Sequence, residues 1–191
     1  MTRTAAVALT AMLATSGCGS PSGPSGSDGT VNLRITDSPY GSAKAVLVTF
    51  SDVSLHRSGG DWEHVPFADG SSGTWTCDLK KLQNSAQDLL GTGPLEEGDY
   101  TMVRLTVESA RIYFDNSAVS PTPCARSIAA PAGDSAAMTI ASGEVKLNGG
   151  FVVTAAGATT ILVDFDGESS IRETGNGTYM MNPVVRVVSV Q

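Results

Sequence analysis

Residues 95–114 read Leu-Glu-Glu-Gly-Asp-Tyr-Thr-Met-Val-Arg-Leu-Thr-Val-Glu-Ser-Ala-Arg-Ile-Tyr-Phe, and this stretch decides the fold class. After Gly98-Asp99-Tyr100, the apolar residues Val103, Leu105 and Val107 alternate with polar ones, so they share one face of a strand. At Ser109 the phase slips by one residue, and Ala110, Ile112 and Phe114 carry the apolar face onward. An amphipathic helix would need apolar residues three and four apart; period two with a single slip predicts a long strand bent at a bulge. Residues 44–56 repeat the design, with Val46, Val48 and Phe50 on one face and Val53 and Leu55 resuming it after a slip at Ser51-Asp52.

Working outward, short alternating runs recur at Val31/Leu33/Ile35, Trp75/Cys77/Leu79, Val145/Leu147, Phe151/Val153 and Ile161/Val163/Phe165. Asp37-Ser38-Pro39 closes the first run as a turn, and Gly59-Gly60 centres a hairpin between Arg57 and Trp62. Residues 80–90 are the one helix candidate, a turn or two long, and 116–136, with three prolines, read as a long loop. Tyr179 to Val190 is nearly all apolar around Pro183, the pattern of a strand buried on both faces. The expectation is an all-β, antiparallel β-sandwich of seven to nine strands with at most one short helix, occupying residues 30–191.

A chain of 191 residues with 12 basic and 19 acidic side chains is one domain with a net charge of −7. Neutralising phosphates along a nucleic acid needs a basic surplus, so a nucleic-acid partner is not expected. No glycine-rich loop cradles a nucleotide, and the two histidines are few for catalysis.

The N-terminus carries an address. Arg3 precedes the uncharged apolar run Ala5–Leu13, too short to span about 30 Å of hydrocarbon. Thr15-Ser16-Gly17-Cys18 follows, resembling the lipobox of bacterial lipoproteins. An ordinary secretory signal with an incidental cysteine is the competing reading. The lipobox reading makes 1–17 a signal peptide and Cys18 the lipidation site, with palmitate among the acyl chains, so the partner is a lipid bilayer. Residues 18–29 then form a Gly/Ser/Pro tether; 11 residues (19–29) reach roughly 17–20 Å at about 5–6 Å × √n. The expected location is exported and anchored to a bacterial membrane, the outer one where there are two, because Gly19 rather than Asp follows the cysteine.

In an oxidising space Cys77 and Cys124 read as a disulfide, with a reactive thiol as the alternative.

Seven segments in this order resemble a known family: Leu33–Pro39 (LRITDSP), Ala45–Leu55 (AVLVTFSDVSL), Asp78–Gln83 (DLKKLQ), Leu95–Leu105 (LEEGDYTMVRL), Val145–Phe151 (VKLNGGF), Leu162–Asp166 (LVDFD) and Tyr179–Val188 (YMMNPVVRVV). The sequence is similar, over about residues 30–190, to domain-of-unknown-function family 4382 of exported bacterial and archaeal proteins, many of them lipoproteins. The Gly98-Asp99-Tyr100 entry also resembles the strand start of transthyretin-like (prealbumin-like) sandwiches, where the glycine turns the chain and the tyrosine seals the core edge. The resemblance implies that sandwich fold and transfers no catalytic motif. The 115–136 loop with its Cys124 lies outside the family pattern.

Candidate chemistry is sparse. Asp164, Asp166 and Glu168 are hard oxygen ligands that could hold calcium, but they lack the twelve-residue calcium-loop spacing. The competing reading makes Asp166 a cap accepting N–H bonds from Ser169 or Ser170. Pairing about Gly59-Gly60 sets His56 against Glu63 and places His64 on the opposite face, so the imidazoles share no metal. Trp62 and Tyr40 are aromatic side chains positioned to stack on a ligand, although Trp62 also faces Arg57 for a cation–π contact. The reading is a non-enzymatic, lipid-anchored binding or display module whose ligand is an envelope protein or polysaccharide, with no cofactor required. A calcium-stabilised adhesion or carbohydrate-binding module is one alternative. A hydrolase using two of Asp37, Asp52, Asp164 and Asp166 is another.

Overall fold

A computed structural model of the chain describes residues 28–38 and 40–191; the expected signal peptide 1–17 and the expected lipidation site Cys18 lie outside the described residues. The strands are β1 (Asp28–Ser38), β2 (Ala45–Arg57), β3 (Trp62–His64), β4 (Trp75–Asp78), β5 (Asp88–Glu96), β6 (Gly98–Tyr113) and β7 (Cys124–Ala125). They continue as β8 (Ser135–Ile140), β9 (Glu144–Val153), β10 (Ala158–Asp166), β11 (Ile171–Gly175), β12 (Thr178–Met181) and β13 (Val185–Val190). One helical turn, α1 (Gly167–Ser170), joins β10 to β11.

Two sheets face each other. The smaller runs β13–β10–β1–β5; the larger runs β11–β12–β8–β6–β2–β4–β7, with β3 also on β2 and β9 also on β6. Between them, Val31, Leu33, Ile35, Ile161, Val163 and Phe165 meet Val46, Val48, Phe50, Val53, Leu55 and Leu105. Phe50 and Phe165 touch edge to face across the gap, with ring centroids 6.3 Å apart, a contact worth about 0.5–1.5 kcal/mol beyond its burial.

The spine is the long β2–β6 ribbon. Both phase slips are real bulges, and they nearly oppose each other. The ladder passes from Thr49↔Ser109 to Phe50↔Val107, skipping Glu108, and then to Asp52↔Thr106, skipping Ser51. One extra residue in each strand restores the register and bends the ribbon, so each strand can change its outer neighbour. Beside its far half β2 holds β4 and β6 holds β8; beside its near half they hold β3 and β9.

The Gly98 entry behaves as its resemblance implied. Gly98 has φ +150°, where an added Cβ would stand 3.1 Å from Arg57 Nε. Tyr100 is buried, stacks on Phe151 at 5.4 Å, and shares its hydroxyl hydrogen between Glu63 Oε1 and the Glu96 carbonyl, each 3.0 Å away. Burial, followed by the Glu63 carboxylate, holds the phenol pKa well above its usual value.

Several expectations are corrected. The sandwich is not purely antiparallel, because β1 pairs β10 and β12 pairs β8 in parallel. Its strands exceed the expected seven to nine, since each long strand has two partners on its outer side. β1 begins at Asp28 rather than at Thr30. Residues 80–90 form only the 3₁₀ turn Leu79–Lys81 before β5 begins at Asp88. Gly91, Gly93 and Pro94 disguise β5 as a loop, yet a Cβ at Gly91 would lie 2.9 Å from the Pro66 carbonyl that passes over this strand. The 116–136 segment contains β7 and the start of β8. The C-terminal run is broken by Pro183, and β13 is an edge strand paired only with β10, not one buried on both faces. Val185 and Val187 pack inward, while Val188 and Val190 stay 51% and 40% exposed.

Candidate functional site

The near half of the ribbon presents an uncovered face on which side chains fall in rows set by the ladders. His64 (β3), Ser54 (β2), Arg104 (β6) and Lys146 (β9) form one row; Trp62, His56, Met102 and Asn148 form the next. Arg104 reaches across β2, so its guanidinium carbon sits 4.4 Å from the centre of the Trp62 ring, with Lys146 Nζ at 5.9 Å. The His56 ring meets Trp62 edge-on at 5.0 Å.

Beneath the tryptophan runs a chain of polar bonds. Arg104 Nε donates to Ser54 Oγ at 2.9 Å, and Ser54 donates to Asp52 Oδ2 at 3.0 Å. Asp52 Oδ1 is 2.6 Å from His64 Nδ1, so the imidazole donates from that nitrogen. The carboxylate also faces Arg104 Nη2 at 3.7 Å. Ser54 is fully buried under this assembly. Partial desolvation makes such a cation–π contact worth about 0.5–2 kcal/mol and holds the indole in place. Next to it, Asp52 and His64 border a cavity of about 300 Å³ walled by Val53, Val65, Pro66 and Phe67.

This geometry overturns the expected hairpin register. Arg57 N–H donates to the Asp61 carbonyl at 3.2 Å, giving a three-residue loop with Gly59 at φ +71°, not a two-residue Gly-Gly turn. One residue of shift reverses every facing. His56 opposes Trp62, His64 opposes Ser54, and both imidazoles lie on the same face. Glu63 points the other way, to Tyr100. Arg57 is not the partner of Trp62; it pairs with Glu96 and with the Glu97 carbonyl.

The other expected residues lie elsewhere. Tyr40 packs half-buried against the core, where burial and the nearby Tyr179, Glu168 and Glu173 raise its pKa, so it forms no platform with Trp62. Asp166 caps α1, accepting from Ser169 N and Ser169 Oγ, both at 2.9 Å. Asp164 accepts from Arg186 Nη2 at 2.6 Å and from Ser38 Oγ at 3.1 Å. Glu168 is exposed on the helical turn, and among the described residues no three His, Cys, Asp or Glu side chains assemble as a metal ligand set. The three residues suggested for calcium therefore do not converge.

Of the four aspartates considered for hydrolysis, Asp37, Asp164 and Asp166 gather at one end of the small sheet, and Asp52 stands on the other sheet. Asp37 is 5% exposed and accepts from Gly167 N at 3.1 Å, while its Oδ2 has no partner. Burial, reinforced by Asp164 and Asp166, pushes its pKa up to about 8 despite the Gly167 bond and Lys80.

Cys77 and Cys124 are bonded, as direct cross-strand partners of β4 and β7. Arg104, Lys146 and the Asp52–His64 pair escaped sequence reasoning, since only the correct hairpin register brings them to Trp62.

A family profile described as a domain of unknown function, DUF4382, matches residues 28–183. No curated protein and no solved structure matches the chain.

Proposed function

The chain belongs to the DUF4382 family, whose description names no activity, and we propose that it is a non-enzymatic, lipid-anchored protein of the cell envelope that binds a glycan on the β3–β2–β6–β9 face. The observation that carries the reading is the Trp62 indole, held by Arg104 and rimmed by His56 and Lys146 on an uncovered sheet face. A sugar ring offers an apolar face edged by hydroxyls. A preordered aromatic plane with donors and acceptors at its margin matches it at little entropic cost. Arg3, the apolar run Ala5–Leu13 and Cys18 support the anchor. Asp28, where β1 begins, pairs with Glu96, and Glu96 binds Arg57 of the hairpin. A tether preceding Asp28 would join the domain at that pole, and α1 with the 116–134 loop stands at the opposite one.

The test is retention of isolated envelope polysaccharide by the purified full-length chain. Trp62→Ala is expected to lose at least tenfold in retention with a melting temperature lowered by no more than about 4 °C; full retention by that variant removes the reading. Separately, Cys18→Ser should release the protein from washed membranes. Persistence at high salt would place the anchor elsewhere.

A further inference from the structure

Three of the four lysines of this acidic chain, Lys44, Lys80 and Lys81, line one cavity of about 410 Å³ with Gly41, Ala43, Asp78 and Ser117. The cavity lies at the pole opposite Asp28, where β1 ends and β2 begins. Arg57, Arg104, Arg126 and Arg186 each stand against a carboxylate, whereas among the described residues none of these three lysines does. Lys80 Nζ donates to the Tyr40 carbonyl at 2.7 Å and Lys81 Nζ to the Ser120 carbonyl at 2.6 Å. Each ammonium is thus positioned by one bond and keeps two donors. Asp78, the sole carboxyl of the lining, is fully buried, and its Oδ1 accepts from Val46 N at 3.1 Å and Lys80 N at 3.2 Å. It offsets at most one of three positive charges.

We propose that this cavity binds a phosphate group through Lys44, Lys80 and Lys81. Ammonium groups act as compact point charges with donors free to rotate, which suits a multiply charged tetrahedral anion. A planar carboxylate is better met by the guanidinium fork, which this cavity lacks. Three cationic side chains around one cavity, none of them in a salt bridge among the described residues, make its lining electropositive on a chain of net charge −7, and a phosphate supplies the missing counter-charge. One wall is borrowed: Ser117 and Ser120 belong to the long loop, which the Cys77–Cys124 bond and the Asp78 N–H to Pro123 carbonyl bond (2.8 Å) pin beside the lysines. The cavity is distant from Trp62, so this inference is independent of the glycan reading.

The experiment titrates the purified full-length chain by calorimetry with inorganic phosphate and with pyrophosphate at constant ionic strength, and in parallel floats it with phosphatidylglycerol vesicles. Saturable binding of either inorganic ligand is expected. Lys80→Gln/Lys81→Gln should weaken it at least tenfold, Trp62→Ala should leave it unchanged, and Cys77→Ser/Cys124→Ser should weaken it severalfold. Lysine-dependent binding confined to vesicles would also support the proposal and make a lipid headgroup the phosphate source. If the double lysine variant does not fold, Lys44→Glu decides, because Lys44 is exposed and its side chain makes no hydrogen bond among the described residues. Charge reversal there should abolish binding. Absence of saturable binding in both titrations together with absence of vesicle flotation, or binding indifferent to these lysines, overturns it.

Discussion

The two halves of the β2–β6 ribbon are built alike toward the core and oppositely toward the outside. In the far half the outward residues Ala45, Leu47 and Tyr113 form a second small core with Ala118 and Ile128 of the long loop, beside the polar Thr49, Ser109 and Arg111. In the near half the outward residues are Asp52, Ser54, His56, Met102 and Arg104, and among the described residues no loop packs over them. The paired bulges at Ser51 and Glu108 mark the border. The difference teaches that one ribbon can use its outer face for stability in one half and, on the proposed reading, keep the other half for recognition. The alternation that builds the core says nothing about which choice is made.

The largest test breaks the far half. Cys77→Ser/Cys124→Ser removes a link closing a 47-residue separation, worth up to about 4 kcal/mol in the chain-entropy model. Urea unfolding should show that loss. Hydrogen exchange should show residues 116–134 deprotected while β3 keeps its protection; equal loss in both halves would mean that they are not separate.

Asp37→Asn stands outside both halves and is expected to shift stability without touching either outer face. The folded-state pKa of Asp37 is about 8 against an ordinary 3.8, so the native state holds a proton that the unfolded chain releases. Stability present below pH 3.8 is therefore lost as pH rises toward 8, at no more than about 1.4 kcal/mol per pH unit. Asparagine keeps an acceptor for Gly167 N and cannot ionise. The variant should gain about 2–4 kcal/mol at pH 8 and nothing near pH 4, as read from denaturation at the two pH values.

Arg104→Ala probes the near half. It uncovers Ser54 and removes the cation over Trp62, for a loss of about 1–2 kcal/mol and a shift in tryptophan emission. An unchanged emission spectrum would show that Arg104 does not order the indole. The smallest stability effect belongs to Trp62→Ala, within about 1 kcal/mol, since the ring lies on the outer face and adds nothing to the core between the sheets. A larger loss would recast this half as structural like the other.

Much of this was legible in residues that are neighbours in sequence. Period-two alternation marked the strands, the slips at Ser51-Asp52 and Ser109 marked the bulges, and Asp166 was readable as the cap of a strand-ending turn. Export cues made the Cys77–Cys124 bond readable. The candidate site was barely legible. Trp62 was visible as an aromatic beside a turn, but its partners depended on whether the hairpin loop held two residues or three, and both fit Gly59-Gly60. β5 hid behind Gly91, Gly93 and Pro94, which only the close approach of the Pro66 segment explains.

By itself, then, the sequence determined the all-β class, the core face of each long strand, the bulged spine and the disulfide, because these follow from local periodicity and from the chemistry of single residues. The tertiary structure alone decided that β1 pairs β10 in parallel, that His64 and Arg104 reach Asp52, and that Lys44 joins Lys80 and Lys81. Those juxtapositions join residues up to about 130 positions apart, and they are selected by the global fit of two apolar faces rather than by any local preference.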